Sequence, residues 1–172
     1  MLAKTPPQKR YFFNAGPTAL NLVIPAQDGN AEVVSELTVQ EPMNLVYAQP
    51  HMHLRGKDFE LRLYYPSGEK EVALKGKFDF EWQIGYEFSK PIHMPKGTRM
   101  VMISHFDNSA NNKFNPDPKD TVRWGPQNWD EMSNLFIGVT VDAKTDVSKV
   151  FKPSGPSLLP RSKGGPYLTA EK

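Results

Sequence analysis

Short apolar segments, separated by polar, Pro and Gly residues, run along most of the chain. In the segment 59–65, Phe, Leu, Leu and Tyr occupy the odd positions, with Glu60 and Arg62 between them. Because successive side chains of a β-strand point to opposite faces, this alternation predicts a strand with one buried face. The segment 66–69 then predicts a turn, and the segment 71–74 would return as the hairpin partner.

Similar segments recur at regular spacing. The segment 32–39 would place its apolar side chains on one face, and the segment 99–106 is apolar on both faces, which predicts a central strand. Many short strands punctuated by 16 Pro and 12 Gly residues are typical of a β-sandwich or barrel, so we expect an all-β fold. Further strands are predicted at 20–24, 44–48 and 134–141, with one or two more in the aromatic-rich segment 78–88.

The ends of the chain and one long loop stand outside this pattern. Residues 1–12 are interpreted as a linker or N-terminal edge segment, residues 13–143 as the folded domain, and residues 144–172 as a Pro-, Gly-, Ser- and Lys-rich tail that is mobile or lies along the surface. The first ten residues contain no apolar signal core, so we expect a cytoplasmic protein or a mature, trimmed segment. Residues 107–118 predict a long loop of the kind that often carries function.

Composition excludes several classes of protein. A length of 172 residues with 38% hydrophobic residues suits one globular domain. Lys and Arg number 21 against 19 Asp and Glu, a balance too even to indicate a nucleic-acid partner. No apolar run approaches the roughly 20 residues of a membrane span. Cysteine is absent, which excludes disulfides, thiolate zinc sites, iron–sulfur clusters and blue-copper centres.

Two of the four histidines are separated by a single residue. If the chain is extended there, His51 and His53 share a face, and two imidazoles on one face form a ready pair of metal ligands. The alternative is a pair of solvated surface histidines. For a third ligand, His93 reads as an exposed turn residue, while His105 suits a structural hydrogen bond or a metal equally. Asp58 follows at a spacing only loosely similar to that of cupins.

Met132 differs from the other methionines, which read as core residues. It stands among polar residues just before the last predicted strand. Two imidazoles with one thioether make a site soft enough for Cu(I) that also holds Cu(II). Such a pair of oxidation states suits one-electron and O₂ chemistry.

Two segments together resemble a known family. Val46–Lys57 is similar to the His-x-His segment of the type II, ascorbate-dependent copper monooxygenases, which include peptidylglycine α-hydroxylating monooxygenase and dopamine β-monooxygenase. Trp129–Phe136 is similar to the family's Asp-Glu-Met-x-Asn-Leu segment, in the same order and at a matching separation. Asn108–Pro118 followed by Val122–Gly125 resembles bacterial members, which are often encoded beside cytochrome c modules.

The resemblance implies a fold, a metal and a reaction. It covers about Thr5 to Asp142 and implies the second of the family's two jelly-roll β-sandwich domains. His51, His53 and Met132 would then ligate a copper that binds O₂ and hydroxylates a C–H bond. Ascorbate or another electron donor would supply electrons to the full enzyme. The family's periplasmic or extracellular location would follow as well.

The resemblance also implies a partner. Beyond the pair, the chain has only two histidines, too few for the family's electron-transfer copper. A second copper domain or a redox partner, such as one of the cytochrome c type, would therefore complete the enzyme. Side chains that would support the copper ligands are Gln49, His105, Asn108, Asp130 and Asn134.

The sequence also departs from the family. Peptide-amidating members carry two bridged cysteines at positions that are Ser104 and Ser133 here. They hold a peptide carboxylate with an Arg and a Tyr at positions that are Gln49 and Phe136 here, whereas Asn134 is kept. Losing a charge-assisted anchor argues against a peptide-glycine substrate.

Other interpretations remain open. The chain could be a non-catalytic copper-binding or structural jelly-roll module, a cupin-like protein that uses the His pair and a carboxylate, or an interaction scaffold without metal. An aromatic group could wall a substrate pocket or simply pack in the core. Its members are Tyr47, Phe106, Trp124 and Phe136.

Overall fold

Burial alternates along the long strands and divides the chain into two facing sheets. The computed structural model describes residues 5–153. Alternating side chains of Ala31–Val39 are buried, as are Phe59, Leu61 and Leu63 of the segment predicted first. The strands are β1 Lys9–Thr18, β2 Val23–Ile24, β3 Ala31–Val39, β4 Met43–His51, β5 Gly56–Tyr64, β6 Lys70–Lys77, β7 Tyr86–Met94, β8 Arg99–Phe106, β9 Val122–Arg123, β10 Asn134–Asp142 and β11 Phe151–Pro153.

The strand pairing defines the topology. One sheet has the order β1-β10-β4-β7 and the other β11-β3-β8-β5-β6, while β2 and β9 form a small separate pair. Four antiparallel pairs are nested within one another along the chain: β1 with β10, β3 with β8, β4 with β7 and β5 with β6. Nested pairing of eight strands over two sheets is the jelly-roll arrangement. The expected all-β, antiparallel jelly-roll sandwich is confirmed.

The core lies between the two inner faces. β8 is central in its sheet, as predicted, and its inner side chains are fully buried. Leu135, Ile137 and Val139 of β10 are buried from the opposite sheet. Unbranched thioether side chains fill irregular space well, which accounts for the buried methionines. These are Met43, Met52, Met94, Met100 and Met102.

Two predicted segments need correction. The aromatic-rich segment 78–88 is irregular up to residue 85, and its strand begins only at Tyr86. His93 therefore lies within β7 rather than at a turn, and it hydrogen-bonds Asn44. β1 begins at Lys9, inside the segment interpreted as a linker or N-terminal edge segment, and it forms an edge strand of its sheet. Tyr, Phe and Phe follow one another at 11–13, so no alternation predicts a strand there.

The segment assigned to the tail begins with ordered structure. The side chain of Asp146 accepts the Ser148 N–H and caps a short 3₁₀ turn, Val147–Lys149. Val150 is buried, and β11 then pairs with the edge of β3. This anchoring shortens the predicted tail; residues 154–172 lie outside the described residues. Within residues 5–153, no helix is long and apolar enough to cross a membrane.

Candidate metal centre

The His pair lies at the end of β4. His51 is the last residue of β4, and His53 follows in the connection to β5, while Met52 between them is buried in the core. The two imidazole centroids are 5.1 Å apart, with the rings nearly perpendicular. The predicted placement of both rings on one side of the backbone is therefore confirmed.

The ring of His51 is oriented by Gln83, a residue that no sequence pattern singles out. Its Nδ1 lies 2.7 Å from Oε1 of Gln83. The other end of that amide, Nε2, donates to the Phe80 carbonyl at 3.1 Å, so Oε1 is the end that faces the histidine. An amide oxygen only accepts, so Nδ1 of His51 carries the proton and Nε2 is left with a free lone pair.

The surroundings of His53 favour the neutral form of its imidazole, which is the form that binds metals. It is 3% exposed, and its Nδ1 lies 3.4 Å from the Asp130 carbonyl oxygen. Burial lowers the pKa of His53 below its usual value, and the nearby His51 lowers it further, against a smaller opposing effect of the Asp130 and Gln127 carbonyls. A neutral imidazole bonded through Nδ1 offers Nε2 as a ligand.

Met132 approaches the same corner from β10. It is half-buried, and its Sδ accepts a hydrogen bond from Nδ2 of Asn134 at 3.3 Å. Asn134 is the cross-strand partner of His51, which ties the thioether to the His pair through the sheet register. The Oδ1 of Asn134 is buried and has no hydrogen-bond partner, so an unsatisfied acceptor lies directly across from the first histidine.

A single buried carboxylate connects the two ligand segments. Glu131 is 0% exposed, and its oxygens accept the backbone N–H groups of His53 at 2.8 Å, Arg55 at 2.7 Å and Met132 at 3.2 Å. Burial raises the pKa of Glu131 to about 7, although the three N–H donors and Arg55 act in the opposite direction. The backbones of His53 and Met132 are therefore fixed to one side chain.

Arg55 extends this connection into the long loop. It is 2% exposed; its Nε donates to Oδ1 of Asn108 at 2.9 Å and its Nη1 to the Trp129 carbonyl at 2.9 Å. Asn108 in turn donates to the carbonyls of Pro25 and Asp120. The predicted loop 107–118 is thus attached to the ligand segment through buried polar groups. Burial lowers the pKa of Arg55, but the pKa of a guanidinium is so high that the side chain stays charged.

The side chains predicted to support the ligands divide into two groups. Asp130, through its carbonyl, contacts His53, and Asn134 contacts Met132. Gln49, His105 and Asn108 hydrogen-bond other residues instead of the histidine rings, which corrects the prediction for these three. Gln49 bonds the Tyr47 hydroxyl and the Gln83 carbonyl. Asn108 holds Arg55 as described above.

His105 lies on the outer face of the other sheet. Its Nδ1 is 2.6 Å from Asp58, and its Nε2 is 3.6 Å from Glu32. Because Asp58 faces His105, it is not a partner of the His pair. Within residues 5–153, no three His, Asp or Glu side chains are placed to hold a metal ion, so the cupin-like set is not formed there. Among residues 5–153, a third protein ligand for the pair would be of another type.

The aromatic residues considered as pocket walls also separate. Phe136 lies 6.1 Å from His51, centroid to centroid, and Tyr47 lies on the same outer face, opposite Gly138. Phe106 is fully buried in the core and Trp124 is 38% exposed. A cavity of about 340 Å³ opens at the far end of the first sheet, between Lys9, Asn44 and Asp142, away from the His pair.

Ser104 and Ser133 meet across the sandwich. Both are fully buried, and their hydroxyl oxygens are 2.9 Å apart. Ser104 lies on β8 of one sheet, and Ser133 directly precedes β10 of the other. The two positions that the resemblance matches to a bridged cysteine pair are therefore neighbours, joined here by a hydrogen bond.

The donor set suits copper. Two imidazole nitrogens and a thioether are soft to intermediate donors, which favour copper over Mg²⁺ or Ca²⁺, and each histidine has its Nδ1 within hydrogen-bond distance of an oxygen. His51, His53 and Met132 are the residues that would hold the ion. Hard cations would require oxygen ligands, and the one fully buried carboxylate nearby, Glu131, is already bonded to three backbone N–H groups.

Comparisons with known proteins do not assign a family. No family model matches the chain, and no curated protein matches it. Among solved structures, the chain is similar to one titled "Structure of infectious bursal disease virus Gx strain", with a TM-score of 0.29 and 10% identity. The match covers 81% of this chain and 35% of that one. At this level the likeness carries no argument.

Replacing the Glu131 carboxylate should destabilise the fold. We expect Glu131→Gln to lower the free energy of unfolding by about 2–4 kcal/mol, because an amide nitrogen would face a backbone N–H where an oxygen now accepts one. Urea unfolding of the metal-free protein measures this. Glu87→Gln, at an exposed position, is the control and should change stability by less than about 0.5 kcal/mol. Equal stabilities of the two variants would contradict the proposed connection.

The serine pair should accept a disulfide. The double variant Ser104→Cys/Ser133→Cys should oxidise spontaneously, because the two hydroxyls already touch. Closing a loop between positions 29 apart should then add about 3–4 kcal/mol to stability. Thiol titration after denaturation and the urea midpoint measure both effects, with each single variant as control. Two free thiols after air oxidation would show that the pair does not approach as described.

Proposed function

We propose that this chain is the copper-binding half of an ascorbate-dependent monooxygenase, with His51, His53 and Met132 as the copper ligands. The observation that carries the proposal is the convergence of a two-imidazole pair and the Met132 segment on one buried carboxylate. Segments that resemble the family's two ligand motifs, far apart in the chain, are neighbours in the fold. The contact between Ser104 and Ser133 supports the same resemblance independently.

The chain's own residues would prepare the site before any ion arrives. Gln83 and the Asp130 carbonyl would hold the Nδ1 protons of the two histidines, which would leave the Nε2 lone pairs to bind a metal. Burial lowers the pKa of His53, which weakens the competition between a proton and a metal ion. Copper bound there would supply one-electron and O₂ chemistry for hydroxylating a C–H bond.

The proposal requires a second component. Within the described residues, His93 and His105 lie away from the pair and are bonded to Asn44 and Asp58 respectively. Neither is placed to build a second copper site beside the first. We therefore include in the proposal a second copper domain or a redox partner, with ascorbate or another donor as the source of electrons.

X-ray absorption at the copper edge of the Cu(I)-loaded protein tests the ligand set. We expect about two imidazoles and one sulfur scatterer, and Met132→Leu should remove the sulfur while preserving the fold. Met100→Leu, which removes a thioether from the core, should leave the spectrum unchanged. A shell of nitrogen and oxygen only in the unaltered protein, or binding of less than one copper per chain, would refute the site.

A non-catalytic copper module is the second candidate. It is favoured by the placement of His93 and His105 away from the pair, which leaves one copper site in the described residues. Ascorbate-driven O₂ consumption separates the two functions. A catalytic half should consume O₂ when a second copper protein is supplied, whereas a storage or structural module should not.

A further inference from the structure

A line of aromatic rings leads away from His51 over the outer face of the first sheet. The ring of Phe136 is 6.1 Å from His51 and 6.1 Å from Phe13, with which it is stacked, and Phe13 is 6.0 Å from Tyr47. The hydroxyl of Tyr11 lies over Gly138, beside Tyr47. We call Tyr11, Phe13, Tyr47 and Phe136 the aromatic strip.

The aromatic strip is open to solvent. Tyr11 is 60% exposed and Phe13 49% exposed, while Tyr47 and Phe136 are half-buried. Gly138 makes the arrangement possible, because a Cβ there would collide with the Tyr11 hydroxyl and lie 2.9 Å from Cβ of Tyr47. Contiguous exposed aromatic surface is costly in water and typically marks a binding site.

The residues paired across strands with the aromatic strip offer no cation to hold an anion. Gln49, opposite Phe136, accepts from the Tyr47 hydroxyl at 3.0 Å and donates to the Gln83 carbonyl at 3.2 Å. The cross-strand partners of the strip within the described residues are Thr140, Gly138, Ala15, Gln49 and Glu87, so none is Lys or Arg. The one charged partner, Glu87, would repel a carboxylate.

We propose that the aromatic strip binds the uncharged, apolar part of the substrate, an aromatic or aliphatic group, and so directs a C–H bond toward His51. The inference rests on the proposed function. The inference is supported by continuity, because Phe136, the ring next to His51, is also the first ring of the strip. Recognition would come from ring contacts and burial of apolar area rather than from a charged anchor.

The test uses the metal-free protein and three probes that share one ring. Benzyl alcohol, benzoate and benzylamine are each titrated while NMR shifts of the strip residues are followed. Benzyl alcohol should shift the NMR signals of the strip residues and bind at least about tenfold more tightly than benzoate. The carboxylate of benzoate finds no cation among the cross-strand partners of the strip, and Glu87 repels it. Phe13→Ala should weaken benzyl alcohol binding by about three- to tenfold.

Phe114→Ala is the matched control. Phe114 is 45% exposed, close to Phe13, but it lies in the long loop and stacks with Lys113 instead of the strip. Its variant should leave probe binding unchanged. Equal effects of the two variants, equal binding of benzoate, or self-association through the strip that Phe13→Ala abolishes would each overturn the inference.

A second readout separates this inference from the proposed function. With Cu(II) loaded, protons of bound benzyl alcohol should relax faster than with the metal-free protein, because the strip begins beside His51. If the protein fails to bind copper but the strip still binds the probe, the proposed function fails and the apolar binding site stands. If copper binds with the expected ligands and the probe shows no strip shifts and no enhanced relaxation, the inference about substrate fails alone.

Discussion

The carboxylate of Glu131 is the constraint on which the site depends. It accepts three backbone N–H groups that belong to the two separate ligand segments, at His53, Arg55 and Met132. His53 and Met132 lie outside the strands, so sheet hydrogen bonds alone do not fix the separation of these two candidate ligands. Burying a carboxylate is unfavourable unless its oxygens are satisfied, and here the donors that satisfy it are the backbone atoms that need to be positioned. The same three hydrogen bonds therefore offset the cost of burying the carboxylate and fix the backbone positions at His53, Arg55 and Met132.

The jelly roll explains why these segments meet. β4 and β10 are distant in the chain but adjacent in the first sheet, and their register places Asn134 opposite His51. The inner faces of both strands are occupied by the core, so ligands are carried by the outer face and by the ends where pairing stops. A rigid sandwich behind the site holds the side chains without any metal, which is the arrangement that favours an open coordination position.

Sequence reasoning succeeded where periodicity or spacing was strong and failed where contacts were long-range. Alternation located the strands around Phe59 and the central β8, and the one-residue spacing placed His51 and His53 together. Gln83 was missed because it lies in an irregular segment, and only the folded chain brings it to His51. Glu131 lies within the Trp129–Phe136 segment, yet a single Glu in a sequence does not indicate that its side chain is fully buried. For His105 the sequence left a structural hydrogen bond and a metal equally open, because its partner, Asp58, is set by strand register.

Two departures from the resemblance act in the same direction. The positions that would anchor a carboxylate hold Gln49 and Phe136, which are cross-strand partners. Gln49 turns its amide toward its neighbours and Phe136 adds a ring to the aromatic strip, so neither position offers a charge for a carboxylate. Phe13 and Tyr11, on an edge strand, extend the exposed aromatic area beside them, and contiguous exposed apolar area of this kind typically marks a binding surface.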